Sequence, residues 1–371
     1  MNPFILSAYH SPEYFCDREE EMHKLLSAVE NNRNTTLISR RRMGKTGLLM
    51  HLRHKLKKRK DINFVYFDIM PTARDLEFVN RFADALFKSH RNPTDTLLKN
   101  FMKWFSAFRP SLSIDPVTGE PKVNLDISKV PEKEESLSAI MEYISKSRKK
   151  FVVAIDEFQQ IANYRNENME AMLRSHIQLM NNTAFIYSGS NREMLQNMFW
   201  NEKQPFYMSS DIMYLMPIAK DKYINFISSK FRKAGTRISK DVIEHILETV
   251  DINTYYVQLL CNRLYSEGIE NITADKVDEM FLMILDEHKY YFENYRNILS
   301  DFQWRLLKAI AKDKKVTEIT SKDFIGRHDL GSASSVGTAV KSLVKKEMLL
   351  KEEGKYMVHD VLFSEWLRKR G

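Results

Sequence analysis

Glycine, lysine and threonine follow one another at Gly44, Lys45 and Thr46, at the end of a basic loop after a short apolar run. Where such a loop leads into a helix, backbone N–H groups converge on an anion, and the lysine adds a positive charge. The threonine hydroxyl is an oxygen ligand of the kind that small divalent cations prefer. The spacing therefore predicts a phosphate-binding loop, with Lys45 on the β- and γ-phosphates and Thr46 on Mg²⁺.

The first position of this loop departs from the pattern G-x-x-x-x-G-K-[ST], because Ser39 stands where glycine is usual. Glycine serves where the backbone needs a positive φ, so a serine fits if the φ of this position is negative. The alternative interpretation is a solvated basic turn that contains Gly-Lys-Thr by chance. On the first interpretation, the residues that contact the nucleotide are Ser39, Arg40, Arg41, Arg42, Met43, Gly44, Lys45, Thr46 and Gly47.

Two acidic residues, Asp156 and Glu157, come directly after the apolar strand predicted at Phe151–Ile155. Ligands of parallel α/β sheets bind at the carboxyl ends of the strands, where these carboxylates lie. We expect Asp156 to hold Mg²⁺, directly or through water, and Glu157 to orient and deprotonate the attacking water. Glu157 and Lys45 are therefore the predicted catalytic residues, and Thr46 and Asp156 the predicted metal ligands. The alternative is an exposed acidic turn after a core strand.

A neighbouring strand, predicted at Ala184–Tyr187, is followed by Ser188, Ser190 and Arg192. Either serine can contact the γ-phosphate or the catalytic water, and either equally suits a cap between a strand and a helix. The arginine can stabilise negative charge at the phosphates, although an ordinary surface position explains it as well. This strand end is therefore a third candidate part of the site.

Strand-type runs alternate with helices of ten or more residues over the segment 1–218, which is typical of parallel βαβ units. Within it, two alternating arms around a Pro/Gly turn predict a β-hairpin insertion at 109–131. After Pro217 the pattern is wholly helical over 219–298, and 299–371 has the order of a helix-turn-helix with a β-hairpin wing. The predicted fold is α/β, with a P-loop NTPase core built on a parallel sheet, an α-helical lid and a C-terminal winged helix.

The C-terminal segment 299–371 contains 15 Lys/Arg against 10 Asp/Glu, a net charge of +5. Its third predicted helix carries Lys341, Lys345 and Lys346, and its first turn is rich in serine. Such a helix can enter a major groove and bond to phosphates, so duplex DNA is a candidate partner. A winged helix that contacts a protein, or that closes on the rest of the chain, is the alternative.

The 371 residues carry a formal charge of +8 and are 43% apolar, which is ordinary for a globular protein and excludes the disordered and collagen-like classes. The two cysteines rule out a disulfide framework and an all-cysteine zinc site, and they fit a reducing compartment. The apolar runs are too short to cross a bilayer, and the first residues lack the features of a signal peptide. We therefore expect a cytoplasmic protein with no membrane partner.

Taken together, these motifs resemble those of the archaeal-type predicted ATPase family, which belongs to the AAA+/STAND group of P-loop proteins and ends in a winged helix. The resemblance starts at Phe15–Glu21, which is similar to the family's F-x-x-R-x-x-E box, and includes RRMGKT, AIDEFQ and YSGS. It extends through the winged-helix unit to YMVHDVLFSEWL. The loop is most similar to the S-P-R-R-M-G-K-T loops of a Bacteroides-like branch, which makes Ser39 a trait of the branch.

This resemblance implies ATP and Mg²⁺ as cofactors, ATP hydrolysis, and a base pocket beside the N-terminal box that includes Asp17 and Arg18. Capping of the following helix by Asp17 is the alternative for that residue. Two features depart from the family: the segment 205–210 has no arginine that could act on a neighbour's nucleotide, and 251–258 lacks a Gly-x-Pro. We therefore expect slow turnover without the usual activation between subunits, and an oligomer stays open.

The predicted function is that of a Mg²⁺-dependent ATPase that cycles between ATP and ADP and acts as a nucleotide-driven switch. Its winged helix would contact duplex DNA or a protein partner. The alternative is a regulator that binds DNA or protein and senses the nucleotide without hydrolysing it.

Overall fold

The computed structural model describes residues 1–7, 9–90, 95–116, 119, 121–125, 130–164 and 168–370. The chain forms two compact units. One is Ser7–Pro217, and the other combines Met1–Leu6 with Ile218–Gly371. Among the described residues, none of the helices combines the length and the apolar character that crossing a membrane requires.

The unit Ser7–Pro217 is built around a parallel five-stranded sheet with the order β2-β5-β6-β1-β7. Its strands are β1 (Thr35–Ile38), β2 (Ile62–Asp68), β3 (Ser111–Ile114), β4 (Pro121–Asn124), β5 (Lys150–Asp156), β6 (Thr183–Gly189) and β7 (Asp211–Tyr214). Its helices are α1 (Glu19–Glu30), α2 (Lys45–Leu56), α3 (Asp75–Ser89), α4 (Asp95–Trp104), α5 (Val130–Ser145), α6 (Met169–Ile177) and α7 (Arg192–Trp200). The predicted parallel α/β core is therefore confirmed.

The two faces of this sheet are covered by different apolar cores, because successive side chains of a strand point to opposite faces. On β5, Val152 and Ala154 pack in the core that contains Leu48 and Leu52 of α2, whereas Val153 and Ile155 belong to the other core. Asp156 follows in the same alternation and lies on the α2 face. The alternation therefore sets the last residue of β5 beneath the helix that follows the basic loop.

The segment 109–131 contains an antiparallel hairpin of β3 and β4, paired from Ser111 with Asn124 to Ile114 with Pro121. Helix α3 holds its second arm, because Asp84 accepts the Val123 N–H at 3.0 Å and Asn80 accepts the Leu125 N–H at 2.7 Å. Residues 117, 118, 120 and 126–129 of this segment lie outside the described residues. The hairpin is thus attached to the core by side chains of a neighbouring helix.

The second unit begins with helices and one small parallel sheet. Its elements up to the winged helix are α8 (Lys220–Lys233), β8 (Arg237–Ile238), α9 (Lys240–Thr249), α10 (Thr254–Ser266), β9 (Asn271–Ile272), α11 (Ala274–Glu287) and α12 (Lys289–Glu293). The expectation of a wholly helical segment is wrong in this detail, since β8 pairs with β9. Strands of two residues are too short to show an alternating pattern.

The end of the chain forms the predicted helix-turn-helix with a hairpin wing. It contains α13 (Asp301–Asp313), α14 (Lys322–His328), α15 (Ala333–Lys345), β10 (Leu349–Glu352), β11 (Lys355–Val358) and a final helix α16 (Val361–Lys369). The sequence analysis did not predict α16 as a helix. Asp360 caps it by accepting the Phe363 N–H, and Phe363 and Trp366 pack around Trp304 of α13.

The first six residues belong to the second unit, although the sequence analysis placed 1–218 together. Phe4 is fully buried there against Phe231 and Tyr265. Two hydrogen bonds hold the segment in place. The side-chain amide of Asn2 donates to Asn262 O at 2.9 Å, and that of Asn262 donates to Phe4 O at 2.6 Å. The division into 1–218, 219–298 and 299–371 otherwise stays a prediction.

Candidate active site

The basic loop connects β1 to α2 and turns through two left-handed residues, Arg42 with φ 64° and Gly44 with φ 90°. The φ of Ser39 is not positive, so the backbone conformation does not require glycine at that position. Gly44 is the N-cap of α2 and, lacking a side chain, leaves the N–H groups of the first turn without a side-chain cap. Met43 is buried, whereas Arg41 and Arg42 are exposed.

Lys45 is a buried cation, with only 6% of its surface exposed. Its ammonium donates to Ser39 Oγ at 3.2 Å and to Arg40 O at 3.4 Å, both neutral oxygens. Burial lowers the pKa of Lys45, while the charges of Glu157 and Asp156 raise it and Arg41 lowers it. The ammonium of Lys45 is buried and has two long hydrogen bonds, both to neutral acceptors. An anion bound beside it would be attracted by its charge and would offset the cost of removing the ammonium from water.

Asp156 accepts a hydrogen bond on each carboxylate oxygen and is 3% exposed. Its Oδ2 accepts from Thr46 Oγ1 at 2.7 Å and from Tyr66 Oη at 3.1 Å, and its Oδ1 accepts the Glu157 N–H at 3.1 Å. A hydroxyl that donates its proton to a carboxylate keeps its lone pairs for a cation. The pair of Thr46 and Asp156 therefore fits the oxygen donors that Mg²⁺ prefers.

Tyr66 is a member of the site that the sequence analysis missed. It lies on β2, where Tyr66 pairs with Ala154 and Asp68 with Asp156 across the sheet. Burial raises the pKa of Tyr66, and the charge of Asp156 raises it further, so the phenol stays a donor. Burial also raises the pKa of Asp68, which accepts the Met70 N–H at 2.8 Å in the turn after β2.

Glu157 begins the turn after β5 with a left-handed backbone, φ 54° and ψ 43°. One carboxylate oxygen, Oε2, accepts three hydrogen bonds: from Gln159 Nε2 at 2.6 Å, from Ser190 Oγ at 2.9 Å and from the Ser190 N–H at 3.3 Å. Its charge raises the pKa of Lys45, which places the two groups within electrostatic range. The structure thus brings the end of β6 and the turn after β5 together at this carboxylate.

Ser188 is fully buried on β6, and its Oγ has no hydrogen-bond partner. It follows Ile186 in the alternation of the strand, and Ile186 packs in the same core as Leu48 of α2. A buried hydroxyl without a partner usually marks a place for water or a ligand. The cap of α7 is Asn191, which accepts the Met194 N–H, so neither Ser188 nor Ser190 occupies the cap position.

The N-terminal box is held against the basic loop by Arg18, which is 4% exposed. Its guanidinium donates to Met216 O at 2.6 Å, to Glu21 at 2.9 Å and to Met43 O at 3.3 Å. Arg18, not Asp17, occupies the N-cap position of α1, and both residues have a positive φ. The contact between this box and the nucleotide stays a prediction. The hydrogen bonds of Arg18 to Met43 O and Met216 O are a structural role of the box that the sequence pattern did not reveal.

Two further predicted residues lie at the edges of this region. Gly47 faces the N-terminal box, because a Cβ at this position would stand 3.5 Å from the ring of Phe15. The guanidinium of Arg192 stacks on the ring of Tyr214 at 4.7 Å, which gives this residue a packing role in the structure. Lys45, Thr46, Asp156, Glu157 and Ser188 converge at the carboxyl ends of β1, β5 and β6, and their roles stay predictions.

Comparison with known proteins identifies the two parts of the chain. The family described as "ATPase domain predominantly from Archaea" matches residues 15–260, and the one described as "Probable winged helix domain" matches residues 290–369. No curated protein matches the chain.

Similar solved structures include a Walker-type ATPase of Pyrococcus abyssi, at 20% identity, with a TM-score of 0.68 and 99% of each chain covered. The ORC2 protein of Aeropyrum pernix, in ADPNP and ADP complexes, has 13% identity and a TM-score of 0.60, with 99% of this chain and 95% of that chain covered. Its ADP form also has 13% identity, with a TM-score of 0.52. At these identities the likeness concerns the fold, which is that of P-loop ATPases with a winged helix. The chain belongs to the family of ATPase domains found predominantly in Archaea, and its ATPase domain is followed by a winged helix domain.

Proposed function

We propose that this protein binds ATP with Mg²⁺ and hydrolyses it, using the cycle as a switch for the contacts of its winged helix. The observation that carries the proposal is the hydrogen bond from Thr46 to Asp156, beside the buried ammonium of Lys45. A hydroxyl, a carboxylate and a buried cation at the ends of parallel strands suit a metal-bound phosphate chain. The match to an ATPase family supports the same reaction class.

The phosphates would be held by Lys45 and by the loop backbone. Lys45 would contact the β- and γ-phosphates. The phosphates would be surrounded by backbone N–H groups of the loop from Ser39 to Gly47, which includes the arginines 40–42, Met43 and Gly44. Thr46 and Asp156 would hold Mg²⁺, which neutralises charge on the phosphates when it is bound. The hydrogen bond that the Thr46 hydroxyl donates to Asp156 supports this assignment.

Glu157 would orient the attacking water and accept its proton. Ser188, with its buried hydroxyl free of partners, would contact the γ-phosphate or that water. Ser190 bonds to Glu157 instead, which supports a role in holding the carboxylate. Efficient general-base catalysis needs a carboxylate fixed within hydrogen-bond reach of the water, and this arrangement supports that requirement.

Asp17 and Arg18 would bound the base pocket through the backbone. The guanidinium of Arg18 is bonded to two carbonyl oxygens and a carboxylate, so its side chain supports the loop rather than the base. Asp17 has a left-handed backbone two residues before the start of α1, which directs its peptide groups differently from those of a helix. This part of the proposal rests on the chain's resemblance to its family.

The decisive measurement is phosphate release from ATP by the wild-type protein, in Mg²⁺ and in an excess of chelator. We expect release in Mg²⁺ and none in chelator, because Thr46 and Asp156 hold the cation. Turnover should be slow, since the described residues 205–210 supply no arginine to stabilise transferred charge, and such an arginine contributes about 10³–10⁵-fold in other P-loop enzymes. Absence of release in both conditions would favour the non-hydrolysing regulator.

For the partner of the winged helix, the charges favour duplex DNA bound by α15 alone. No acidic residue occurs between Leu330 and Lys346, and Thr338, Lys341 and Lys345 are exposed on α15. The wing carries Glu352 and Glu353 beside Lys351 and Lys355, so it adds no net positive charge. A protein partner is the alternative outcome of the binding experiment.

The binding experiment titrates a DNA duplex at several salt concentrations. If α15 contacts phosphates, the logarithm of the binding constant should fall linearly with that of the salt concentration. Lys341→Ala should reduce the slope, whereas Lys24→Ala on α1 should leave it unchanged. Binding that ignores salt would reject this contact, and phosphate release measured with and without the duplex would show whether DNA is coupled to hydrolysis.

A further inference from the structure

We propose that Gln159 is a positioning residue for the Glu157 carboxylate, a role that no motif assigns to it. The proposal rests on the function proposed above and concerns the step in which water is activated. Gln159 Nε2 donates to Glu157 Oε2 at 2.6 Å, the shortest of the three bonds to that oxygen.

The surroundings of Gln159 fix the orientation of its side-chain amide, with Nε2 toward the Glu157 carboxylate. Its side chain is buried, with 6% exposed, and Nε2 faces a carboxylate that only accepts hydrogen bonds. With the amide reversed, two oxygens would face each other, so the bond fixes which way the group points. The other end, Oε1, is buried without a partner.

Gly189 provides the space for this amide at the end of β6. A Cβ at Gly189 would stand 2.0 Å from Gln159 Oε1 and 2.9 Å from Leu195 Cδ1. The φ of Gly189 is not positive, so its backbone conformation does not require glycine. The close approach of the Gln159 amide accounts for the glycine instead. The glycine of the YSGS sequence and the glutamine of AIDEFQ are thus parts of one arrangement.

The three hydrogen bonds to Glu157 leave one of its carboxylate oxygens for the attacking water. All of them reach Oε2, so Oε1 is the oxygen available to a water molecule. In the proposed step the water proton passes to Oε1 as the water oxygen bonds to the γ-phosphorus. The bond from that phosphorus to the oxygen bridging the β- and γ-phosphates breaks, and ADP leaves with its electron pair. A carboxylate free to rotate would place Oε1 less often within reach of the water.

The first test replaces Gln159 by methionine, which conserves the volume and removes both polar ends. We expect kcat for phosphate release to fall about 10- to 100-fold, the scale of one hydrogen bond to a charged group. The dissociation constant of a fluorescent ATP analogue should change by less than about twofold, because the loop and Lys45 are untouched. The matched control is Gln160→Met, since the side-chain amide of Gln160 donates to Thr72 O at 2.7 Å and not to the Glu157 carboxylate.

The second test is Gln159→Glu, which keeps the shape of the side chain and replaces the amide donor by a second acceptor. A carboxylate cannot donate a hydrogen bond to Glu157 Oε2, so kcat for phosphate release should fall at least as far as in Gln159→Met, while the dissociation constant of the ATP analogue changes by less than about twofold. A residue that only fills space would tolerate this nearly isosteric change. Gln160→Glu should leave kcat unchanged. This variant keeps the proposal falsifiable if Gln159→Met fails to fold.

The outcomes separate this proposal from the ATPase function. If the wild type hydrolyses ATP and both Gln159 variants match their Gln160 controls in kcat, the positioning role is refuted and the function stands. If the wild type releases no more phosphate than Glu157→Gln, the ATPase function is refuted and the positioning role with it. A loss of kcat with unchanged nucleotide affinity in both Gln159 variants supports the role.

Discussion

Thr46 donates a 2.7 Å hydrogen bond to Asp156, which lies 110 residues further along the chain. Thr46 lies in the first turn of the helix after the basic loop, and Asp156 is the last residue of strand β5. Because Lys45 and Glu157 are their direct neighbours in sequence, this single contact brings a cation, a hydroxyl and two carboxylates into one region. The expected effects of substitutions at Lys45, Glu157 and Tyr66 depend on this convergence.

Lys45→Ala should abolish tight ATP binding. The substitution removes a buried positive charge whose present bonds are to neutral oxygens, so the phosphates would lose their main charged partner. Titration of a fluorescent ATP analogue measures the effect, with Lys24→Ala, an exposed lysine on α1, as the control. Equal affinities for the two variants would contradict the assignment of the loop.

Glu157→Gln should keep ATP bound and block turnover. Glutamine retains the shape of the side chain but cannot accept a proton from water, and general-base catalysis contributes about 10²–10⁴-fold. Phosphate release and analogue binding should be measured on the same preparation, beside the exposed Glu193→Gln. Hydrolysis at the rate of the parent protein would show that the base lies elsewhere.

Tyr66→Phe should weaken the dependence of ATP binding on Mg²⁺ without removing it. The change deletes one of three hydrogen bonds to the buried Asp156 carboxylate and leaves those from Thr46 and the Glu157 N–H. We expect the Mg²⁺ concentration for half-maximal binding to rise about 3- to 10-fold, the scale of one such bond.

The control for this change is Tyr143→Phe, which removes a phenol bonded at 3.0 Å to His90 and no bond to Asp156. A Mg²⁺ dependence that is the same in the two variants would mean that Tyr66 does not help to hold the carboxylate.

Arg18→Met should destabilise the ATPase unit. The buried guanidinium bonds to Met43 O, Met216 O and the partly exposed Glu21, and a polar group left without its partner away from water costs about 1–3 kcal/mol. Urea denaturation measures the change in the free energy of unfolding. Arg33→Ala breaks an exposed pair with Asp211 and should cost no more than about 1 kcal/mol. Similar losses for the two variants would contradict this account.

Acidification should destabilise the same unit through His51. Burial lowers the pKa of His51 to about 4 from an ordinary value of 6.5, with smaller effects from Lys55 and His54. Between these values the unfolded chain binds more protons than the folded one, so the free energy of unfolding rises with pH from 4 to 6.5 and falls on acidification.

His51→Phe should flatten this dependence in denaturation curves recorded from pH 7 to pH 4. His51 bonds to Tyr9 at 2.8 Å and stacks on Phe15, and phenylalanine preserves the stacking. The exposed His23→Phe is the control. An unchanged slope in the His51 variant would assign the pH dependence to other groups.

The sequence predicted the parts of the site that follow from strand and loop order. Thr46 and Asp156 stand at fixed places after their strands, and parallel strands end at one edge, so their meeting follows from topology. The hydrogen bonds from Tyr66 to Asp156 and from Gln159 to Glu157 were missed because the first crosses the sheet and the second needs the space left by Gly189, which no spacing records. The Arg18 contacts with Met43 O and Met216 O were hidden for the same reason.

The fold was predicted wherever an element had a long periodic pattern. The short strands β8 and β9 and the final helix α16 were missed, the first two because two residues hold no pattern. In α16 the signal was present, since Asp360 can cap a helix whose Phe363 and Trp366 face one side. The placement of Phe4 depends on a pocket formed by residues more than 200 positions away, including Phe231 and Tyr265, which a local pattern cannot show.

Arg18 joins two distant backbone positions, because one guanidinium bonds to Met43 O in the basic loop and to Met216 O just before Pro217. Pro217 is the last residue of its unit, so the loop and the point where the chain leaves that unit share one rigid side chain. A shift of the loop at Met43 would therefore have to break one of these hydrogen bonds or move the group that also bonds to Met216 O.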